Sequence, residues 1–309
     1  MRSLANWLSF SRRSESPMSR SFLDAVVSFA RSSWVELGVS GWDHRIFDLA
    51  IDLEPLMALT ATIGGADPRL VEQADLWTAT YPELVSRARL KRQIDALGPG
   101  GVPGLRDLSR AGRRKDLGGD SLPGLRLEAP ANLQMRLRSA FGVGARAELL
   151  RIMLVGEPGV RFAASDLALL AGYSKRNVEM ALRGLERASL VAKTRNVSAF
   201  AWRIGRREEL ESLFGPLPHS SVSFASLVAV MIGLLPLDDV ADEVDRVRSA
   251  EARRAVEVLR ALGAAGGIEL PEPRSGNDAW SVIVEWAQEL PASATRGEES
   301  EQNFGTSPG

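Results

Sequence analysis

Apolar residues recur at intervals of three and four through most of the first hundred positions. In SRSFLDAVVSFARSSW, Phe22, Val26 and Phe29 share one side of a helix, with Leu23 and Val27 beside them. HRIFDLAIDLEPLMALTATI continues the pattern, and Pro55 marks a kink or a boundary. DPRLVEQADLWTATYPELVSRARLKRQIDAL predicts one or two further helices: Asp67 suits an N-cap, Pro68 suits the first turn, and Pro82 separates the halves. The helical period resumes after Asn132. ARAELLRIMLV sets Leu149, Leu150, Ile152 and Met153 on a broad apolar face, EPG at 157–159 is a turn, and VRFAA is long enough for one strand.

The segment SDLALLAGYSKRNVEMALRGLERASLV predicts two helices joined by a short turn. Ser165 is the expected N-cap of the first, with Asp166 in its first turn and Leu167 and Leu170 buried. Gly172 supplies the turn, and Ser174 caps the second helix. At about 100° per residue, Val178, Leu182, Leu185 and Ser189 fall in one narrow sector with Ala181 alongside. LVAKTRNVSAFAWRIG then predicts two short strands around a polar turn near 195–198, with Phe200 and Trp202 as core residues seating the hairpin. Beyond Arg207 the chain is helical again. Val222–Leu235 is apolar but shorter than the roughly 18–20 residues a bilayer requires, so a buried helix is expected there. A helix follows from Asp238, acidic at its start and basic at its end, and DAWSVIVEWAQEL is a last one.

These patterns predict a mostly α-helical protein in five parts: an N-terminal helical domain (1–97), a linker (98–131), a central domain (132–207), an acidic C-terminal helical region (208–290) and a disordered tail (291–309). The linker has eight glycines and three prolines between 98 and 124. Its cations Arg106, Arg110, Arg113, Arg114 and Lys115 are expected to be solvated.

Charge changes this picture. The overall net charge of −1 conceals +3 over residues 1–140, +7 over 141–207 and −11 over 208–309. A basic segment between neutral and acidic ones suits a module that meets a polyanion. The chain has no cysteine and only two histidines, which argues against disulfides, thiolate chemistry and a zinc site, and points to a reducing, cytoplasmic location. No signal peptide or membrane span is expected.

The second helix of the pair carries this charge on one side. Taking its apolar sector as the origin, Arg176, Arg183 and Arg187 lie roughly 140–180° away and Met180 near 200°, while Glu179 and Glu186 lie to one flank. A merely solvated helix usually interleaves signs for pairing at i,i+4. The order helix, strand, helix, turn, helix, hairpin, together with the Gly-containing turn, the Ser-capped second helix and the LV entering the hairpin, resembles the winged helix-turn-helix domains of bacterial transcription regulators of the MarR and ArsR type. The likeness covers about 70 of the 309 residues and none of the flanking helical regions.

That resemblance implies a second helix entering the major groove and a wing touching the adjacent backbone or minor groove. The implied base readers are Lys175, Arg176, Asn177 and Met180. Ser174, Arg183 and Arg187 would meet phosphates, and Lys193, Arg195 and Asn196 lie at or near the hairpin tip. The expected partner is double-stranded DNA and the expected role transcriptional regulation. Regulators of this type often form two-fold dimers reading half-sites about 34 Å apart; the candidate homodimer surface is Val222–Leu235 with the helix from Asp238. The N- or C-terminal helices are candidate sites for a protein partner. The alternative is a protein-interaction module that uses the same fold to dock another protein.

Catalysis is not expected. FGVGARAE at 141–148 resembles the start of a nucleotidyltransferase motif, but Val143 stands where serine is required and no Asp-x-Asp follows. Asp48, Asp52 and Glu54 form a carboxylate cluster in which metal binding competes with a solvated face, and the solvated face is the expectation. His44 beside Trp42 reads as structural. No phosphate loop, dinucleotide fingerprint or serine nucleophile motif is present, so no cofactor, metal or catalytic residue is assigned.

Overall fold

The computed structural model describes residues 17–43, 46–47, 49–96, 124–195, 200–218, 220, 222–272, 279–293 and 295–296. The elements run α1 (Pro17–Glu36), β1 (Ile46–Phe47), α2 (Leu53–Thr62), α3 (Pro68–Thr80), α4 (Arg87–Ala96), α5 (Leu133–Phe141), α6 (Ala145–Val155), α7 (Ala164–Ala171), α8 (Lys175–Arg187), β2 (Val191–Arg195), β3 (Phe200–Ile204), α9 (Arg207–Phe214), α10 (Phe224–Leu234), α11 (Asp245–Ala265), α12 (Ala279–Ser293) and β4 (Thr295–Arg296). Short 3-10 turns precede α4, α5 and α11. The protein is mostly helical, with two small antiparallel pairings, β1 with β4 and β2 with β3. Among the described residues, no helix is long and apolar enough to cross a membrane.

Two hydrophobic cores form. The first draws on both ends of the chain: Phe22, Val26, Phe29 and Trp34 of α1 and Leu56 and Met57 of α2 join Phe224 and Met231 of α10, Val256 of α11 and Ile283 of α12. The N-terminal and C-terminal helices are therefore one body. α12 also runs past Leu290 through Pro291 to Ser293, and Thr295 pairs with Phe47, so the start of the expected tail is ordered. α10 packs against α2 and α11, with Ala225, Ala229 and Ile232 left partly exposed. The helix expected from Asp238 starts later, at Asp245, because Leu235–Val240 adopts a 3-10 turn. Within that turn the Asp238 carboxyl is pushed up to about 7 by burial and by the neighbouring Asp239 charge. Asp67 caps α3 as the sequence predicts, accepting from the Leu70 amide at 3.1 Å, and Pro55 lies in the first turn of α2.

The second core gathers Leu133 and Leu137 of α5, Leu149, Leu150 and Met153 of α6, Leu167 of α7, Val178, Leu182 and Leu185 of α8, Val191, Trp202, and Leu210 and Phe214 of α9. α5 serves both cores. Leu133 and Leu137, four apart, face the second, while Met135 enters the first. Gln134 and Arg138, also four apart, face the seam between them.

That seam holds six buried charges: Asp52, Glu54, Arg89, Arg138, Glu148 and Arg151. Arg89 donates to both Asp52 oxygens at 2.7 and 2.6 Å and to Glu54 Oε2 at 2.6 Å. Arg138 grips both Glu54 oxygens at 2.7 Å, Glu148 Oε1 at 2.6 Å and the Leu84 carbonyl at 2.6 Å. Arg151 bridges Glu148 at 3.1 Å and Asp52 at 2.8 Å. Gln134 donates to Asp52 and Glu148 at 3.0 Å, and its Oε1 accepts the Leu53 amide at 2.9 Å, capping α2 in place of Asp52, whose carboxylate is taken by arginines. The solvated face expected for Asp52 and Glu54 is thus overturned, because basic partners arrive from 35 to 99 residues away; Asp48 and His44 lie outside the described residues.

Burial alone would raise the Asp52 carboxyl, but Arg89 and then Arg151 hold it well below the usual carboxylate range. Glu148 is held down to about 2 against its own burial by Arg89, Arg138 and Arg151. Burial would lower the Arg89 and Arg138 guanidiniums, and the carboxylates reverse this and raise both. Three carboxylates and three guanidiniums leave the seam neutral, so each charge depends on all its partners.

Replacing Arg138 by Met removes the guanidinium shared by Glu54 and Glu148 and leaves the seam one positive charge short, and a loss of about 3–5 kcal/mol is expected in urea denaturation; a loss under 1 kcal/mol would contradict the network. Because Asp52 and Glu148 bind protons less readily folded than unfolded, their contribution is complete above their ordinary values of 3.8 and 4.5 and is lost as pH falls through the lowered ones. Urea midpoints of the wild type should be insensitive to these two groups near pH 6 and fall steeply below about pH 4.5. Glu148→Gln should show a shallower fall over that acid range.

Candidate nucleic-acid interface

The expected order of elements is present: α6, one bridge at Phe162, α7, a turn, α8, and the β2–β3 hairpin. Phe162 and Trp202 exchange backbone hydrogen bonds, both 2.8 Å, so the expected strand shrinks to a single bridging residue that ties the middle of β3 to the entry of α7. With Phe162 held there, α7 begins at Ala164. Ala163 is its N-cap without a side-chain bond, and Ser165 instead donates to Asp166 Oδ1 at 3.1 Å. Leu167 is buried, while Leu170 is half-buried.

Gly172 takes the left-handed conformation (φ 66°, ψ 35°) that ends α7. Ser174 then caps α8, its Oγ accepting from the Asn177 amide at 3.3 Å. Val178, Ala181, Leu182 and Leu185 are buried and seat α8 on α6 and α7; the stripe stops there, and Ser189 lies past the helix end, exposed, with φ 58°.

This seating turns the opposite side of α8 outward. Ser174, Lys175, Arg176, Asn177, Arg183 and Arg187 are exposed, and Met180 is 56% exposed. Among the described residues, Arg176, Arg183 and Arg187 enter no salt bridge. On the hairpin, Lys193 and Arg195 are exposed, and Lys193 Nζ lies 3.8 Å from the Phe200 ring centroid and 5.6 Å from that of Trp202. Phe200, expected in the core, is 56% exposed: it pairs with Arg195 at the far end of the hairpin, beyond the reach of the second core, whereas Trp202 is buried. Asn196 and the basic linker residues Arg106, Arg110, Arg113, Arg114 and Lys115 lie outside the described residues.

The turn before α8 is fastened to the helical body. The Tyr173 and Ser86 hydroxyls are 3.2 Å apart, and the Arg92 guanidinium lies 5.3 Å from the Tyr173 ring centroid. Tyr173 had no signal in the sequence, because its partners on and before α4 stand more than eighty residues earlier. Burial raises the Tyr173 phenol above its ordinary 10.0, aided by the Glu148 charge and opposed by the Ser86 hydrogen bond. Since the chain has two tyrosines, Tyr81→Phe isolates it. An ultraviolet titration of that variant, with the fold followed by circular dichroism, should place the midpoint above 10; a midpoint at or below 10 would show that the turn is not docked as described.

No protein-family model matches the chain, and no curated protein or solved structure matches it.

Proposed function

We propose that this protein binds duplex DNA through α8 and the β2–β3 hairpin, as a winged helix-turn-helix regulator of transcription acting in the cytoplasm and not as an enzyme. The observation that carries this reading is the exposed arginine side of α8, without a salt bridge among the described residues and set opposite the stripe that anchors the helix. A cation surface whose arginines form no salt bridge among the described residues is suited to a phosphate backbone. Lys175, Arg176, Asn177 and Met180 fall at the leading end of α8 and are the base-reading candidates. Arg reads guanine, Asn reads adenine, and an apolar side chain can meet a thymine methyl. Ser174, Arg183, Arg187, Lys193 and Arg195 are the backbone contacts in this reading. Two-fold pairing, in this reading, uses the partly exposed side of α10 together with α11, where Val247 and Val258 are exposed.

A second reading rests on two apolar side chains. Leu169 of α7 is 74% exposed and Met180 of α8 is 56% exposed, which also suits docking of a protein partner.

Gel-shift titrations against genomic DNA fragments at two salt concentrations separate the readings. The wild type should retain DNA at low salt and lose affinity steeply as salt rises, and the Arg176→Glu/Arg183→Glu double variant should lose retention with an unchanged circular dichroism spectrum. Wild-type protein that retains no duplex at low salt would overturn DNA binding and favour the protein-docking reading.

A further inference from the structure

Two cations that lie outside the helix pair and the hairpin border the exposed side of α8, one near each end. Near its start, Arg92 of α4 is exposed, and its guanidinium lies 5.3 Å from the ring centroid of Tyr173, the residue immediately before the Ser174 cap. The Tyr173–Ser86 hydroxyl contact fixes that ring to the body, so the ring gives Arg92 a rigid apolar seat and leaves its donors available.

Further along α8, Arg146, near the start of α6, is exposed. A Cβ built on Gly184 would stand 3.3 Å from Arg146 Nη2 and 3.4 Å from Nε. The guanidinium thus lies in close contact with the helix at Gly184, where a Cβ would press it back by a few tenths of an ångström. Gly184 is at roughly 240° on the α8 wheel, beside the arginines at 140–180° and on the flank opposite Glu179 and Glu186. Arg146 therefore borders the basic face on its acid-free side. Among the described residues, neither Arg92 nor Arg146 enters a salt bridge.

We infer that Arg92 and Arg146 are phosphate contacts that extend the DNA-binding surface beyond the helix pair and the hairpin, with Arg92 bringing the helical body onto the duplex. This rests on the DNA-binding reading above. Neither side chain is placed among the base-reading candidates, so both should act through charge and contribute equally on any sequence.

The test is the slope of log affinity against log salt, measured by fluorescence anisotropy with the full chain on one retained fragment and one unrelated duplex of equal length. Each phosphate contact adds about 0.9 to the magnitude of that slope for B-form DNA. Arg92→Gln and Arg146→Gln should each reduce it by about 1, and the double variant by about 2, with the affinity ratio between the two duplexes unchanged. Arg92→Lys and Arg146→Lys should retain the wild-type slope, since a phosphate needs only the charge. Circular dichroism and urea midpoints matching the wild type exclude loss of fold. If the double Gln variant keeps the full slope while the wild type binds with strong salt dependence, this inference fails and DNA binding stands. If the wild type binds neither duplex, the DNA-binding reading fails and takes the inference with it.

Discussion

Three carboxylates and three guanidiniums, closed off from water between two hydrophobic cores, set the relation between the parts of this protein. An ion transferred from water to a buried site loses several kcal/mol of solvation, which only well-placed partners offset. Asp52 and Glu54 come from the start of α2, Arg89 from α4, Arg138 from α5, and Glu148 and Arg151 from α6. Separating the cores by even a few ångströms would leave each side with buried, unbalanced charge. Apolar contacts tolerate some sliding, but a bidentate guanidinium–carboxylate pair tolerates little. The seam therefore gives the junction a defined geometry, whatever its net stabilisation.

The position of α8 follows from that geometry. Its apolar stripe seats it on α6 and α7, and α6 carries Glu148 and Arg151 into the seam. The turn before α8 is held separately through Tyr173 and Ser86, and Ser86 also donates its amide to Glu54 at 2.7 Å. One set of buried charges thus reaches within a few residues of the cap of α8. The outward face of that helix is presented by a rigid frame built from both ends of the chain.

The two clusters of charge in the protein use the same residue types in opposite ways. In the seam, arginines face carboxylates and the sum is neutral. On α8, arginines are exposed and without acidic partners among the described residues, and Lys193 on the hairpin lies over the Phe200 ring. Charges already matched inside the fold can do little for an external polyanion, whereas unmatched surface charges can release counterions when they meet one.

Local chemistry was readable from the sequence because it depends on neighbours within about four positions: the helical periods, the Asp67 and Ser174 caps, the left-handed Gly172, the stripe Val178–Leu182–Leu185 and the outward arginines of α8 all follow from it. The order of elements around the hairpin was legible for the same reason. What the tertiary structure alone decided rests on partners far apart in the chain. Asp52 and Glu54 look like a solvated face until Arg89, Arg138 and Arg151 are folded onto them, and the two terminal regions look separate until α10 and α12 close on α2 and α1. Phe200 looks like core until the hairpin carries it past the core's edge. A charged side chain by itself prefers water and an apolar one prefers burial, but partners brought by the fold from far along the chain can reverse either outcome.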